Sequence, residues 1–359
     1  MDNSKLLKEL PEIKQNEPLA KHTTIKIGGP AEFYYEAKKK EDFVKAIQLA
    51  HQNNITVTIL GWGSNVLVSD KGIKGLVVVN KANNLIIFDE DEGKQPIEII
   101  EKEEKSMARL DQIDKAKYGD FSRLDYDESN LPISKVYMDA GVSLQLAIFK
   151  TIEADLTGLQ WFAGIPGTIG GAVYNNIHGG THFISEVIEN VEILDKKTLK
   201  KKILKKKDLE TNYDYSTFQK TNDYILGVTF NLYHGDSERA MFVYKEWRRQ
   251  KSLIQPSNSA GCIWKNLSEK EKRKLNLQTS SMGYVIEHIL KLKGMKSGDA
   301  RISDKHAAFI VNDGKARAVD VLALMKKIYY TTKQKLRIKP KPEIFLLGFD
   351  NDEIKEFLE

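Results

Sequence analysis

The run Gly158-Leu-Gln-Trp-Phe-Ala-Gly-Ile-Pro-Gly-Thr-Ile-Gly-Gly-Ala-Val-Tyr-Asn-Asn176 limits what this chain can fold into more than any other stretch. Gly164, Gly167, Gly170 and Gly171 put four glycines into eight positions around Pro166, with apolar residues between them. Glycine has no Cβ, so it tolerates positive φ and lets another surface come close to the backbone. A flexible linker would instead be polar and serine-rich. An apolar, interrupted run is expected of a buried loop wrapped around a flat, partly apolar ligand; a tight turn between two core elements is the plainer alternative.

A second glycine turn stands earlier in the chain. Residues 55–60 are β-branched and lead directly into Gly61-Trp62-Gly63-Ser64-Asn65. Consecutive backbone N–H groups in such a turn form a concave anion site, to which Ser64 and Asn65 add side-chain donors. A pyrophosphate is its natural occupant. No further glycine follows at the spacing of the dinucleotide fingerprint, and no Lys-Ser/Thr pair closes the turn. A nicotinamide Rossmann domain and a P-loop ATPase are therefore disfavoured.

Around the turns, hydrophobic periodicity predicts an α+β chain. Residues 1–10 read as a short amphipathic helix. Alternation over 24–27 suggests a strand ending in the turn Gly28-Gly29-Pro30, with a second strand at 31–36 and a helix at 40–53. Strands follow at 66–70, 75–79 and 85–88. From 89 to 134 the chain is rich in Glu, Lys and Asp, which predicts an inserted surface excursion, with a solvated helix at 97–116. Order returns with a strand, turn and helix over 136–154, where Ser143 is the expected cap. Strands at 187–194, 199–204 and 224–233 precede a helix at 235–251. The last hundred residues read as a separate lobe with helices at 282–290 and 318–336 and strands at 307–311 and 343–347. The lysine-dense stretch 196–207, alternating with Leu and Ile, reads as an exposed hairpin or edge strand on which lysine blocks unwanted pairing.

Composition bounds the function. The chain has 359 residues, 41% hydrophobic and 29% charged, with 55 Lys+Arg against 50 Asp+Glu for a net charge of +5. Scattered lysines slightly favour anionic small molecules, but there is no basic stripe of the kind that binds nucleic acid. Cys262 is the single cysteine, so no intrachain disulfide forms and a reducing compartment is expected. No apolar run approaches the roughly 18 residues of a membrane span, and the N-terminus has no signal-peptide core. The expected location is the cytoplasm, away from membranes.

Five segments, in order, resemble the UDP-N-acetylenolpyruvoylglucosamine reductase (UDP-N-acetylmuramate dehydrogenase) family. They are Thr23-Thr-Ile-Lys-Ile-Gly-Gly-Pro-Ala31, Leu60-Gly-Trp-Gly-Ser-Asn-Val-Leu-Val68 and Gly164-Ile-Pro-Gly-Thr-Ile-Gly-Gly-Ala172. The fourth runs from Gln255-Pro-Ser to Ala260-Gly-Cys-Ile-Trp-Lys-Asn266, and the fifth is Lys305-His-Ala-Ala-Phe-Ile-Val-Asn312 followed by Glu343-Ile-Phe-Leu-Leu-Gly348. The compact passage from Gln255 to Asn266 is similar to the shorter variant of the family, which lacks a tyrosine-bearing loop.

The resemblance implies an FAD-binding region of the vanillyl-alcohol-oxidase type plus a C-terminal α+β substrate lobe. Its implied divisions are an N-terminal FAD-binding subdomain at 1–84, a second at 85–235 with the charged insertion, and a substrate-binding domain at 236–359. It also implies FAD as bound cofactor, NADPH as co-substrate, a UDP-sugar substrate and a place in peptidoglycan precursor synthesis, hence in cell-wall biogenesis, cell shape and division. No metal is implied. Gly61, Trp62, Gly63, Ser64 and Asn65 are then expected to hold the FAD pyrophosphate. Gly164, Ile165, Pro166, Gly167, Thr168, Gly170, Gly171 and Ala172 are expected to pack near the isoalloxazine.

The implied reaction delivers hydride to the β-carbon of the enolpyruvyl ether, so negative charge builds on the α-carbon and its carboxylate. An acid must then protonate the α-carbon. The family usually places Ser where this chain has Cys262. A thiol, with an ordinary pKa near ~8.5, is a competent donor to a carbanion; a small buried apolar residue is the other common fate of a free cysteine. Glu343 matches the family's second acid, while Tyr213, Ser216, Lys265 and Asn266 match its substrate-binding positions. His306 reads more readily as a satisfied core histidine. One departure matters: the family usually has Tyr-Arg-x-Ser, and this chain reads Tyr213-Asp214-Tyr215-Ser216. Losing a donor to the enolate can cost about 2.7–4 kcal/mol. Either Arg248, Arg249, Lys265 or Lys305 takes the task with Asp214 turned away, or catalysis is impaired. Trp62, where Gly is usual, and Asn176-Ile-His-Gly179 are smaller departures. The rival readings are a binding protein with impaired catalysis and another flavin oxidoreductase of the same broad fold.

Overall fold

The computed structural model describes residues 4–88 and 124–358. The expected helix over 97–116 and most of the charged excursion lie outside the described residues. By packing, the chain forms two compact units, one of residues 1–35, 50–78 and 252–359 and one of residues 36–49 and 79–251. This grouping gathers the two ends of the sequence into one body, whereas the boundaries at 84 and 235 divide the chain into consecutive functional modules; those modules remain a proposal.

In the first unit, a four-stranded sheet runs in the order Lys14–Pro18, Pro30–Ala37, Ile73–Asn80, Val57–Leu60. Ile73–Asn80 is buried at every position except Lys74, as its run of Leu76, Val77, Val78 and Val79 requires. The strand predicted at 24–27 does not form. A 3-10 turn, Leu19–His22, leads instead into an irregular loop in which Lys26 adopts a left-handed φ of 60°. Thr23 Oγ1 closes that loop, donating to Ile27 O (2.9 Å) and accepting from Ile27 N (3.2 Å). Ile25 and Ile27 still face inward, so the alternation reported burial correctly but not backbone conformation.

Two further pairings build the floor of this unit. Val66–Val68, directly after the first glycine turn, pairs in parallel with Phe345–Leu347 near the C-terminus. The C-terminal lobe carries an antiparallel sheet in the order Ser259–Cys262, Phe309–Asn312, Ala300–Ile302, Lys296–Ser297. Its long helix, Ala318–Leu336, buries Val321, Leu322, Leu324, Met325, Ile328 and Tyr329, the stripe expected at helical spacing. The predicted helix at 282–290 is a single turn, Met282–Tyr284, widening into a π turn at Val285–Ile289.

In the second unit, a five-stranded antiparallel sheet has the order Lys201–Lys205, Ile188–Leu194, Tyr224–Tyr233, Ile133–Asp139, Leu85–Phe88. Lys201–Lys205 is the edge strand, as its lysines predict. Helices Leu144–Glu153 and Ile169–Asn175 share this unit's core, and helix Ser237–Ile254 adds Ala240, Met241 and Tyr244 to it. Lys40 anchors the helix Lys40–Gln52 by donating to Glu192 (2.8 Å) and to Tyr137 Oη (3.0 Å).

The end of the predicted surface excursion is a correction. Leu124 and Glu128 are buried, and Tyr126 carries Arg239 3.5 Å over its ring. Trp161 Nε1 donates to Leu124 O (3.2 Å), and Glu128 accepts from Thr157 Oγ1 (2.8 Å) and Gln160 Nε2 (2.9 Å). Charge density misled because a buried acid with two donors reads in sequence like a solvated one. Ser143 stands before helix Leu144–Glu153, but its hydroxyl makes no capping bond. Among the described residues no helix is long and apolar enough to cross a membrane.

Candidate active site

In the first unit the turn 61–65 meets three distant segments. Gly63 has φ 62°, and a β-carbon there would lie 2.2 Å from His22 O, so both conformation and crowding demand glycine. Thr24 stitches the turn in place: its N donates to Gly63 O (3.0 Å) and its Oγ1 to Ser259 O (2.6 Å). Asn65 accepts from Phe345 N (3.0 Å) and its amide donates to Glu343 O (3.4 Å). Glu343 N in turn donates to Ile263 O (2.9 Å), and Lys265 N to Lys341 O (2.9 Å). A β-carbon on Gly261, which has φ 84°, would meet only Ser64 O at 3.7 Å.

The backbone thus gathers Cys262, Glu343 and Lys265 around the first glycine turn. Cys262 and Glu343 are half-buried. The Asn65 side chain thus ties the turn to the segment that leads into the strand Phe345–Leu347. Asn266 is exposed, and its Oδ1 accepts from Met282 N (3.1 Å), ordering the start of the short helix. Trp62 is 43% exposed at the tip of the turn. His306 is a packing residue: its Nδ1 accepts from Ala308 N (3.1 Å), it stacks edge-on to Phe309, and burial pushes its pKa below the usual value.

In the second unit the loop 164–172 is pinned from behind. Gln145 Oε1 accepts from Gly164 N (2.9 Å) and its Nε2 donates to Ile165 O (2.9 Å). Leu144 N donates to Gly167 O (3.0 Å), Ile169 N to Val142 O (2.9 Å) and Gly170 N to Ala140 O (2.8 Å). Thr168 caps the helix Ile169–Asn175 by accepting from Gly171 N (3.2 Å). Gly170 is required by the fold, since a β-carbon would sit 2.9 Å from Ala140 Cβ. Gly171 is not: it needs no positive φ, and its β-carbon would meet only Thr168 Oγ1 at 3.6 Å. A helical glycine costs about 1 kcal/mol against alanine. Bare backbone kept there at that cost, like the open face of Gly261, fits a ligand lying against it.

Tyr213 is exposed and its ring lies 4.6 Å from that of His178. Ser216 is buried and donates to Tyr174 O (2.7 Å); with Gln219 Nε2 on the same carbonyl (3.1 Å), it clasps the segment to the helix Ile169–Asn175. Asp214 takes a left-handed φ of 49°, and its side chain, 13% exposed, faces His178 with Oδ1 3.7 Å from Nδ1. The acid is therefore turned inward. Of the cations in this unit considered as substitutes, Arg249 is held by Glu246 (2.7 Å) and Arg248 donates to Tyr244 Oη (2.9 Å). The sequence reading missed Gln145, Lys251 and His178. A long polar residue just inside a helix that follows a turn was the available signal for Gln145; only the fold brings the other two to the site.

Residues 31–98 match the family model for an FAD-binding domain, and residues 254–347 match that for the C-terminal domain of UDP-N-acetylenolpyruvoylglucosamine reductase. The FAD-binding match and the fold place the chain among FAD-binding proteins of the vanillyl-alcohol-oxidase type. UDP-N-acetylenolpyruvoylglucosamine reductase of Lachnoclostridium phytofermentans is 31% identical over 354 residues, 96% of this chain and 98% of the relative. That of Clostridium novyi is 30% identical over 95% of this chain and 94% of the relative. The crystal structure of the Thermus caldophilus reductase shares the fold with a TM-score of 0.66 at 24% identity, covering 94% of this chain and 98% of that one. The chain belongs to the UDP-N-acetylenolpyruvoylglucosamine reductase family.

Proposed function

We propose that this protein reduces the enolpyruvyl group of UDP-N-acetylglucosamine enolpyruvate to UDP-N-acetylmuramate, with FAD as bound cofactor and NADPH as reductant, in the cytoplasmic synthesis of peptidoglycan precursors. The observation that carries the reading is the convergence of residues 61–65, Cys262 and Glu343 through the Asn65 side-chain bond to Glu343 O and the backbone bonds of Ile263 and Phe345, in a chain whose relatives over nearly their full length bear the reductase name.

Residues 61–65 would hold the pyrophosphate of FAD, and residues 164–172 would lie against the ring system, where Gly171 leaves backbone bare. When bound, FAD supplies the hydride that reaches the substrate β-carbon, replenished from NADPH. Cys262 protonates the α-carbon: its S–H bond breaks, a C–H bond forms, and the thiolate recovers a proton from solvent. Glu343 assists at the enolate-like stage. Lys265 and Asn266 bind substrate, as does Tyr213, which Ser216 positions by fixing its segment.

A weaker catalyst that still binds flavin and UDP-sugar is the second reading, favoured by Asp214 standing where the family usually carries Arg. One anaerobic experiment separates the two. Flavin is reduced with NADPH, the enolpyruvyl sugar is added, and flavin reoxidation is followed. Reoxidation at turnover speed supports the reductase. Stoichiometric flavin, yellow as purified, that stays bleached after the sugar is added selects the second reading, and a colourless purified protein that refuses FAD defeats both.

A further inference from the structure

We infer that Lys251 is a positioning residue for the second glycine loop, clamping residues 163–167 from the far end of helix Ser237–Ile254. The inference rests on the proposal that this loop holds the flavin. Lys251 Nζ donates to Ala163 O (2.7 Å), next to the Gly164 N–H that Gln145 accepts and the Ile165 carbonyl that Gln145 donates to. Three consecutive residues of the loop are thus fixed by two long polar side chains from two different helices.

The lysine stem completes the fit. A β-carbon on Gly164 would lie 3.0 Å from Lys251 Cδ and 3.4 Å from Arg248 Cα, and Gly164 itself has φ 75°. The aliphatic chain therefore covers the bare α-carbon while the tip reaches the carbonyl, the usual way a lysine serves an apolar surface and a polar group at once. Among the described residues no acid pairs with it. Residues 158–168 carry no ionisable side chain. On its own helix Glu246 is committed to Arg249, and on the helix Leu144–Glu153 Lys150 is committed to Glu153. Burial pushes the Lys251 amine down to about 8. Ammonium and neutral amine both carry N–H, so the bond to Ala163 O is available in either form. The side chain is kept for its reach and its donor rather than for a partner charge.

The test uses the full-length protein in three forms: parent, Lys251→Met, which keeps an unbranched apolar stem and loses the donor, and Lys251→Arg, which restores a donor. Amide-hydrogen exchange is measured on the cofactor-free protein, then the FAD Kd and the shape of the bound flavin absorption band. Lys251→Met should raise exchange over residues 163–167 by about 10-fold and weaken FAD by a similar factor, with an altered flavin band. Lys251→Arg should recover all three. Parent-like exchange and affinity in Lys251→Met would overturn the inference, as would equal impairment of both variants, which would make the stem's packing the whole effect. Faster exchange with unchanged FAD affinity would overturn the positioning role. A parent that binds no FAD would sink the cofactor reading instead, while the exchange comparison still decides whether the clamp exists.

Discussion

At Gly63 a β-carbon would lie 2.2 Å from a backbone oxygen; at Gly171 the nearest atom would be 3.6 Å away. The two turns look alike in sequence, yet their glycines answer to different causes. Gly63 is fixed by its own φ of 62° and by the chain at His22–Thr23 packed against it. Gly171 meets neither demand among the described residues, which is the opening that the proposed cofactor site uses. The surroundings differ too. The first turn is stitched to strands bearing a thiol and a carboxyl, whereas the second is held by neutral amides and one lysine. On the proposed function, the first region serves proton transfer and the second grips the cofactor.

The hardest blow to that comparison would come from Cys262→Ala. If the first unit carries the chemistry, the variant should lose two to four orders of magnitude in turnover, roughly the worth of a positioned acid, while flavin content stays at the parent level. Steady-state rates and the absorbance ratio of flavin to protein measure the two halves. A variant turning over at the parent rate would move the proton donor elsewhere.

Gly63→Ala and Gly171→Ala form the sharpest pair. The first forces a left-handed alanine, at about 1–2 kcal/mol, and adds a backbone clash. A loss near 3 kcal/mol in chemical denaturation is expected. The second should leave the cofactor-free fold unchanged or up to about 1 kcal/mol more stable, because alanine is the better helix former. Its cost should appear in FAD affinity, about 10-fold, or 1.4 kcal/mol. Equal destabilisation by both substitutions would erase the distinction between the turns.

Much of this was legible in the sequence because it rests on local rules. The helix at 318–336 and the strand at 224–233 appear with the predicted bounds, since one has an uninterrupted helical stripe and the other is rich in β-branched and aromatic residues. Both glycine turns, and the residues that gather around the first of them, were visible as motifs. What escaped was set by distant partners. Residues 24–27 alternate like a strand, but the left-handed Lys26 and the Thr23 clasp make a loop whose Ile25 carbonyl is satisfied by Asn312. Residues 124–128 read as solvated because nothing nearby in sequence announces Thr157, Gln160 or Arg239. Asp214 was legible as a departure, while its inward turn toward His178 was not.

The smallest expected effect concerns Glu128, which separates scaffold from site within the second unit. Burial raises its carboxyl pKa above the ordinary 4.5, only partly offset by the bonds from Thr157 and Gln160. As pH climbs past 4.5 the unfolded chain releases this proton before the folded one does, so ionisation favours unfolding. The stabilising contribution is full below 4.5 and is lost as pH rises through the folded-state value. Glu128→Gln has no proton to lose. Its carbonyl can still accept from Gln160, and its amide can donate to Thr157 Oγ1, which keeps its own bond to Tyr233 O (3.2 Å). Parent and variant should therefore diverge in denaturation midpoint only above pH 4.5, with the variant the more stable at neutral pH by up to about 1 kcal/mol. FAD affinity and turnover should not move. Identical pH profiles for the two proteins would mean that Glu128 is ionised at no cost, while a loss of FAD in the variant would join this network to the site.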